Sequence, residues 1–137
     1  MTTARWQQLM KQAHGIGVLA TIENGEPRLR PMEFSLVDGE LWAATAKHSR
    51  KYTDVPDGQH VEVLFMNNEF DHARIRGVLR WSTTPHDRER LWQLQHDDIT
   101  HWYSGVDDPD LVIMRIVPEE AEYKSAHGND QYWREAA

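Results

Sequence analysis

Two dipeptides constrain this chain more than any other feature. Asn24-Gly25 and Asp38-Gly39 are the pairs that a two-residue type I′ hairpin requires, because both central residues take positive φ and few residues other than Gly, Asn and Asp do so at low cost. Each pair lies between runs of period-two alternation. Ile16, Val18, Ala20 and Ile22 alternate with Gly17, Leu19 and Thr21 before the first turn. A return strand is predicted from Pro27 to Val37, with Met32, Phe34 and Leu36 on one face, and Leu41 to Thr45 follows the second turn. The expectation is a meander of three antiparallel strands.

The remaining elements follow from the same periodicities. Trp6, Leu9, Met10 and Ala13 share one arc of a helix over Ala4 to Ala13, which Gly15 and Gly17 stop. Residues 46–55 carry no apolar period and read as a loop with a short helix, closed by Pro56-Asp57-Gly58. Val61 to Met66 reads as a strand buried on both faces. In a longer strand from Asp71 to Trp81, Ile75, Leu79 and Trp81 face one way and Arg74, Arg76 and Arg80 the other. Thr84 as N-cap and Pro85 at N1 open a helix predicted over His86 to Tyr103, with a core face of Leu91, Trp92, Leu94, Ile99, Trp102 and Tyr103. A strand from Leu111 to Val117, a strand-like piece to about Lys124 and a flexible polar tail from about residue 128 complete the chain. Six or so short antiparallel strands, three helices and no βαβ alternation predict one mainly β domain over residues 1–137, a small closed barrel with flanking helices.

Charge narrows the partners. Of 137 residues, 15 are Lys or Arg and 22 Asp or Glu, a net charge of −7, which argues against nonspecific binding to nucleic acid. The acid is not evenly spread: residues 1–80 hold 10 basic and 10 acidic side chains, and residues 81–137 hold 5 and 12. An anion site fits the first part. With no cysteine there is no disulfide, thiolate metal site or cysteine nucleophile. No apolar run approaches the roughly 18 residues of a membrane span, and no signal-peptide core follows Met1, so a cytoplasmic protein is expected.

Two segments carry chemistry. Thr45-Ala46-Lys47-His48-Ser49-Arg50-Lys51 places two hydroxyls and three fixed cations directly after a strand, a donor set suited to a phosphate, although a short basic helix is also commonly just a solvated surface. Arg30-Pro31-Met32 puts proline inside a strand, which needs an edge or a bulge because the ladder loses a donor there. Arg30 then either reaches the same anion or is a surface arginine of an edge strand. The arginine face of residues 74, 76 and 80 reads as ion pairs with neighbouring strands, or as a basic patch at a dimer contact. His96 and His101 are spaced five apart, poorly placed to share a metal on one helix, and surface histidines are expected. With no marked acid–base or nucleophile group, chemistry supplied by a cofactor fits better than chemistry from side chains.

In their order and spacing, several segments resemble the pyridoxamine 5′-phosphate oxidase-like FMN-binding split barrels. They are Gly17 to Met32 ending in Arg30-Pro31-Met32, Leu41-Trp42-Ala43-Ala44-Thr45 leading to Ser49-Arg50-Lys51, Val61 to Phe65, and Ala73-Arg74-Ile75-Arg76-Gly77. The general stress protein subgroup is closer, for it shares the step Asp108-Pro109-Asp110-Leu111 and the later Pro118 with Ala121-Glu122-Tyr123. The resemblance covers about residues 5 to 124. It implies a six-stranded antiparallel Greek-key split barrel and a homodimer with FMN, or FAD, in clefts between the subunits. By position, Arg30, Pro31 and Met32 would lie along the flavin, and Arg30, Thr45, Ser49 and Lys51 would receive the phosphate. Backbone near Ala44 and Ala46 would approach the ring, and residues near Trp102 of the partner subunit would close the cleft.

What the resemblance implies for activity is an FMN-dependent oxidoreductase with a small-molecule substrate or electron donor. The alternatives are a flavin-binding buffer or sensor without turnover, and a split barrel holding haem or a deazaflavin. Two departures bear on this. The chain ends Tyr123-Lys124-Ser125-Ala126-His127 and a short tail, without the longer region that binds the vitamin substrate in true pyridoxamine phosphate oxidases, so that oxidation is not expected. Lys124 also stands where the subgroup commonly has tryptophan.

Overall fold

The computed structural model describes residues 4–128 and 130–134. Both hairpin turns form as their sequences require: Asn24 and Gly25 take φ of 55° and 78°, and Asp38 and Gly39 take 50° and 82°. The first joins β1 (Ile16–Glu23) to β2 (Glu26–Glu33), and the second joins β3 (Ser35–Val37) to β4 (Glu40–Ala46). The meander, however, is broken. The predicted return strand splits at Phe34, whose buried ring packs edge-on against Phe65 and whose N–H donates to the Gly15 carbonyl at 2.7 Å. Gly15 sits at φ +74°, and a Cβ there would lie 2.3 Å from the Phe34 oxygen, so only glycine lets the two backbones approach this closely.

That split determines the architecture. After helix α1 (Arg5–Gln12) and the four strands come a short helix α2 (Arg50–Asp54), β5 (His60–Met66), β6 (His72–Ser82), α3 (Pro85–Leu94), α4 (His96–Ile99), β7 (Leu111–Lys124) and β8 (Gln131–Arg134). The antiparallel sheet runs β2-β1-β5-β6-β7-β4-β3, with β8 added on β7. Its two ends, β2 and β3, are separated in the chain by Phe34 alone. The sheet must therefore curl back on itself, giving a mainly β split barrel whose seam lies beside that residue.

Several expectations are corrected. There are eight strands among the described residues, because the return strand divides and Gln131–Arg134, expected within the tail, pairs with β7. The two last predicted pieces are one strand; Pro118 sits opposite Gly77 at a bulge, where its missing donor is tolerated. A Cβ on Gly77 would lie 2.4 Å from the Val117 oxygen. β5 alternates rather than being buried on both faces: Val61, Val63 and Phe65 point inward, and its ends are exposed. The predicted helix 86–103 breaks at Gln95, which is buried and turns its amide to the Glu33 carbonyl and the Ser35 hydroxyl. Leu94 and Trp102 consequently point to solvent and do not join the core.

Two cores result. Inside the barrel, Trp6, Leu9 and Met10 of α1 plug one end against Phe34, Phe65 and Ile75. Outside it, Leu91 and Ile99 pack on Trp42, Leu111 and Ile113 of β4 and β7. The Thr84 cap forms as read, its hydroxyl accepting from the Asp87 N–H. The arginine face resolves as ion pairs: Arg74 with Glu122, Arg76 with Glu120 at 3.1 Å and Arg80 with Asp57 at 3.1 Å. These exposed pairs stabilise little. Among the described residues no helix is long and apolar enough to cross a membrane.

Candidate functional site

The seam leaves two strands half paired. β2 is the end of the sheet and bonds only to β1, which is where Pro31 can sit without costing a ladder bond. β3 stops opposite Trp42, so along residues 43–46 β4 has a ladder partner only on its β7 side. A cavity of about 310 Å³ lies between them. Arg30, Pro31, Met32 and Glu33 line it from β2; Ala44, Thr45 and Ala46 from β4; Lys51 from α2; and Gln95, Asp98, Ile99, Trp102 and Tyr103 from the helical side.

The structure thus brings eight of the nine sequence-predicted site residues to one cavity. Ser49 is the exception: its hydroxyl accepts from the Tyr52 N–H at 3.2 Å as the N-cap of α2, and it does not line the wall. The loop before it is pinned by Asp110, which takes the Lys47 and His48 N–H groups and pairs with the His48 ring at 2.7 Å. Trp102 reaches the cavity from its own chain and stands 80% exposed at the opening.

Two groups in this cavity lack partners. Thr45 is 1% exposed, yet its Oγ1 makes no hydrogen bond among the described residues. A buried hydroxyl left so costs about 1–3 kcal/mol, which a ligand acceptor would recover. The Lys51 side chain is half-buried and its ammonium forms no ion pair or hydrogen bond among the described residues. Burial, with the Arg30 guanidinium nearby, pulls its ammonium down to about 8 against the opposing charge of Glu23.

Arg30 is a different case. Its Nη2 donates to both carboxylate oxygens of Glu23, at 3.0 and 2.7 Å, and Thr21 Oγ1 donates to the same carboxylate at 2.6 Å. Burial works against the Glu23 carboxylate, but the hydrogen bonds from Thr21 and Arg30 and the arginine charges outweigh it and hold the carboxyl below its usual range. The charge of Arg30 is therefore largely balanced before any ligand arrives. Sequence reasoning missed Glu23 because β1 turns its polar set inward: Thr21 and Glu23 are buried beside Leu19, while Ile16 and Ile22 face out. The available signal was that Leu19, Thr21 and Glu23 share one face at period two.

The helical wall adds groups that the sequence did not mark. Burial and the carboxylates of Asp110 and Asp108 push the Tyr103 hydroxyl up to about 12, so it stays a neutral donor. Glu33 is held near 7, chiefly by burial and then by a hydrogen bond and charge from Asp98. Among the described residues no histidine lines the cavity. Flat apolar strips along Pro31, Met32 and Ile99, half-paired backbone at Ala44 and Ala46, and a buried hydroxyl and an unpaired cation among the lining residues together suit a planar ligand with an anionic tail.

Comparison with known proteins agrees with this architecture. Residues 3–133 match the family described as pyridoxamine 5′-phosphate oxidase like. General stress protein 26 of Bacillus subtilis (strain 168) is 26% identical over 117 residues, covering 82% of this chain and 81% of that protein. Among solved structures, a NimC/NimA family protein of Clostridium acetobutylicum superposes with a TM-score of 0.82 at 21% identity, covering 94% of this chain and 89% of that one. The general stress FMN/FAD binding protein of Xanthomonas citri superposes with a TM-score of 0.70 at 24% identity, covering 98% and 92%.

Proposed function

The chain belongs to the pyridoxamine 5′-phosphate oxidase like family, and from that premise we propose that its cavity binds FMN and that the protein uses it as an oxidoreductase on a small substrate. The observation that carries this reading is the unpartnered buried Thr45 hydroxyl and the unpaired Lys51 ammonium, whose residues line one cavity, since a phosphate held by both would satisfy both at once. Lys51 and Thr45 would hold the phosphate, with Arg30 close by and already oriented by Glu23. Pro31, Met32 and Ile99 would bear on the ring, and the free edge of residues 43–46 would offer it backbone donors and acceptors. The name of the Xanthomonas citri relative supports a flavin ligand in this fold. A bound flavin supplies two-electron transfer; the chain's own part is to orient it, keep water from one face and position the second reactant.

We also propose a homodimer. A cavity of about 310 Å³ is at the small end of the range of about 300–1,000 Å³ typical of small-molecule sites, and it opens beside the exposed Trp102. A second copy placed there would enclose the part of the ligand that one chain leaves in solvent. The absence of histidine from the lining gives haem no imidazole axial ligand in this cavity.

The test is a fluorescence titration with FMN and with riboflavin, followed by sedimentation of the loaded protein. We expect one FMN per chain, affinity at least tenfold above that of riboflavin, as one charge-assisted contact of about 1.5–3 kcal/mol implies, and a particle of two 16.0 kDa chains. Equal affinities would remove the phosphate site. Anaerobic mixing of the loaded protein with NADH or NADPH then separates an oxidoreductase, whose flavin bleaches, from a binder whose flavin stays inert.

A further inference from the structure

The chain has four lysines, and three of them, Lys11, Lys47 and Lys124, are exposed. Lys51 alone is half-buried, and it is the one lysine that lines the cavity. Its position is held from both ends of α2. The Ser49 hydroxyl caps the helix at the Tyr52 N–H, the Tyr52 ring lies edge-on to Trp81 with centroids 5.0 Å apart, and Trp81 Nε1 donates to the Val55 carbonyl at 2.9 Å. Lys51 therefore enters the cavity wall from a fixed piece of backbone. The same cavity is lined by Arg30 and by Thr45, whose hydroxyl is buried without a partner among the described residues, so a phosphate group would find donors there.

A lysine attacks carbonyl carbon only as the neutral amine. Water keeps an exposed ammonium charged, whereas one drawn partly out of water, near a second cation and without a counterion, gives up its proton more readily. Arg30 of β2 opposes the charge of Lys51 and Glu23 of β1 supports it, but the Glu23 carboxylate is already bonded by Arg30 and Thr21. Glu33, Asp98 and the neutral Tyr103 line other parts of the cavity, and none is bonded to Lys51 among the described residues. With its ammonium held at about 8, Lys51 is roughly one-tenth free amine at pH 7. Position, burial and the missing counterion all single out the same residue.

We propose that Lys51 is a site of covalent acylation, taking the acyl group from an acyl phosphate whose phosphate rests on Thr45 and Arg30. The Nζ electron pair adds to the carbonyl carbon, an N–C bond forms, and the bond from that carbon to the phosphate oxygen breaks. The amine proton leaves with the phosphate, so amine and acyl phosphate give amide and hydrogen phosphate, with nothing oxidised or reduced. Holding the phosphate supplies a proximity that the exposed lysines lack. The product is a neutral amide. Acylated protein therefore keeps its ring site and loses its preference for a phosphate, while bound FMN, occupying the same donors, protects Lys51. The proposal rests on the phosphate half of the reading above and not on the flavin ring.

Incubating the flavin-free protein with acetyl phosphate, followed by peptide mass spectrometry, tests this, with the three exposed lysines as internal controls. Lys51 should gain the acetyl group at least about tenfold faster than any of them. Inorganic phosphate and FMN should each slow Lys51 and leave the other three unchanged, with riboflavin slowing it less than FMN. N-acetoxysuccinimide, an acetyl donor without a phosphate, should show no preference for Lys51. Thr45→Val should lower the Lys51 rate severalfold and leave the control lysines as they were. After acetylation the affinity for FMN should fall close to that for riboflavin, and Lys51→Arg should escape this loss. Equal rates at all four lysines overturn the proposal, as does an equal preference for Lys51 with the phosphate-free donor. A protein that prefers FMN to riboflavin yet leaves Lys51 unmodified retains the flavin reading and loses this one. Selective acetylation of Lys51 in a protein that binds no flavin does the reverse.

Discussion

Replacing Lys51 by alanine should weaken FMN roughly tenfold to a hundredfold while changing riboflavin affinity little. A hydrogen bond to a charged group contributes about 1.5–3 kcal/mol, and about 1.4 kcal/mol is tenfold. The Lys51 ammonium forms no ion pair or hydrogen bond among the described residues and is partly desolvated, so its removal should leave the melting temperature unchanged or slightly raised. The pH profile carries the sign. With its ammonium pulled down to about 8, wild-type affinity for FMN should fall as pH rises through 8 and beyond, whereas Lys51→Ala should show no such fall. Binding the phosphate will itself shift that midpoint upward. A variant that loses FMN and riboflavin equally would mean that Lys51 supports the cavity rather than the phosphate. Arg30→Ala should differ from Lys51→Ala, with a smaller effect on the FMN-to-riboflavin ratio and a larger one on stability, because Glu23 already balances the guanidinium.

The second large effect concerns Glu23. This carboxylate is 2% exposed and its partner's side chain 25%, and removing one member of a buried pair costs about 3–5 kcal/mol because a charge is left without its counterion. Arg30 retains some access to water, so Glu23→Gln should lie near the lower end, about 3 kcal/mol by urea unfolding at neutral pH. Acid reduces the difference. Glu23 is held below its usual range, so its contribution is present above the unfolded carboxyl value and disappears as pH falls through the folded one. The ligand effect has the opposite sign from the stability effect. With Glu23 neutral, the Arg30 charge is released to the cavity, and FMN should tighten relative to riboflavin. The double variant Glu23→Gln with Arg30→Met should recover most of the lost stability, since an unpaired charge, not the missing contact, accounts for the cost. Loss of both stability and FMN selectivity in Glu23→Gln would contradict this division of roles.

These two residues also show what could be read before the fold was known. Thr45 and Lys51 lie within one strand-to-helix segment, and local order was enough to place them together. Local chemistry likewise predicted both hairpin turns and the Thr84 cap, and it left Pro31 an edge or a bulge, of which the fold supplies the edge. The split at Phe34 was not legible, because it depends on the Phe34 ring packing against the distant Phe65 and on the close approach of its backbone to Gly15. The break at Gln95 arises from bonds to Glu33 and Ser35, distant residues that no helical period reveals. Burial of Glu23 contradicts its polarity and becomes sensible only once Arg30 is seen across the hairpin.

A crystal structure of the protein grown with FMN tests the central claim most directly. Phosphate density between Thr45 Oγ1 and Lys51 Nζ, with the ring along Pro31 and Met32, is the predicted result. A flavin whose phosphate lies away from both residues would contradict it.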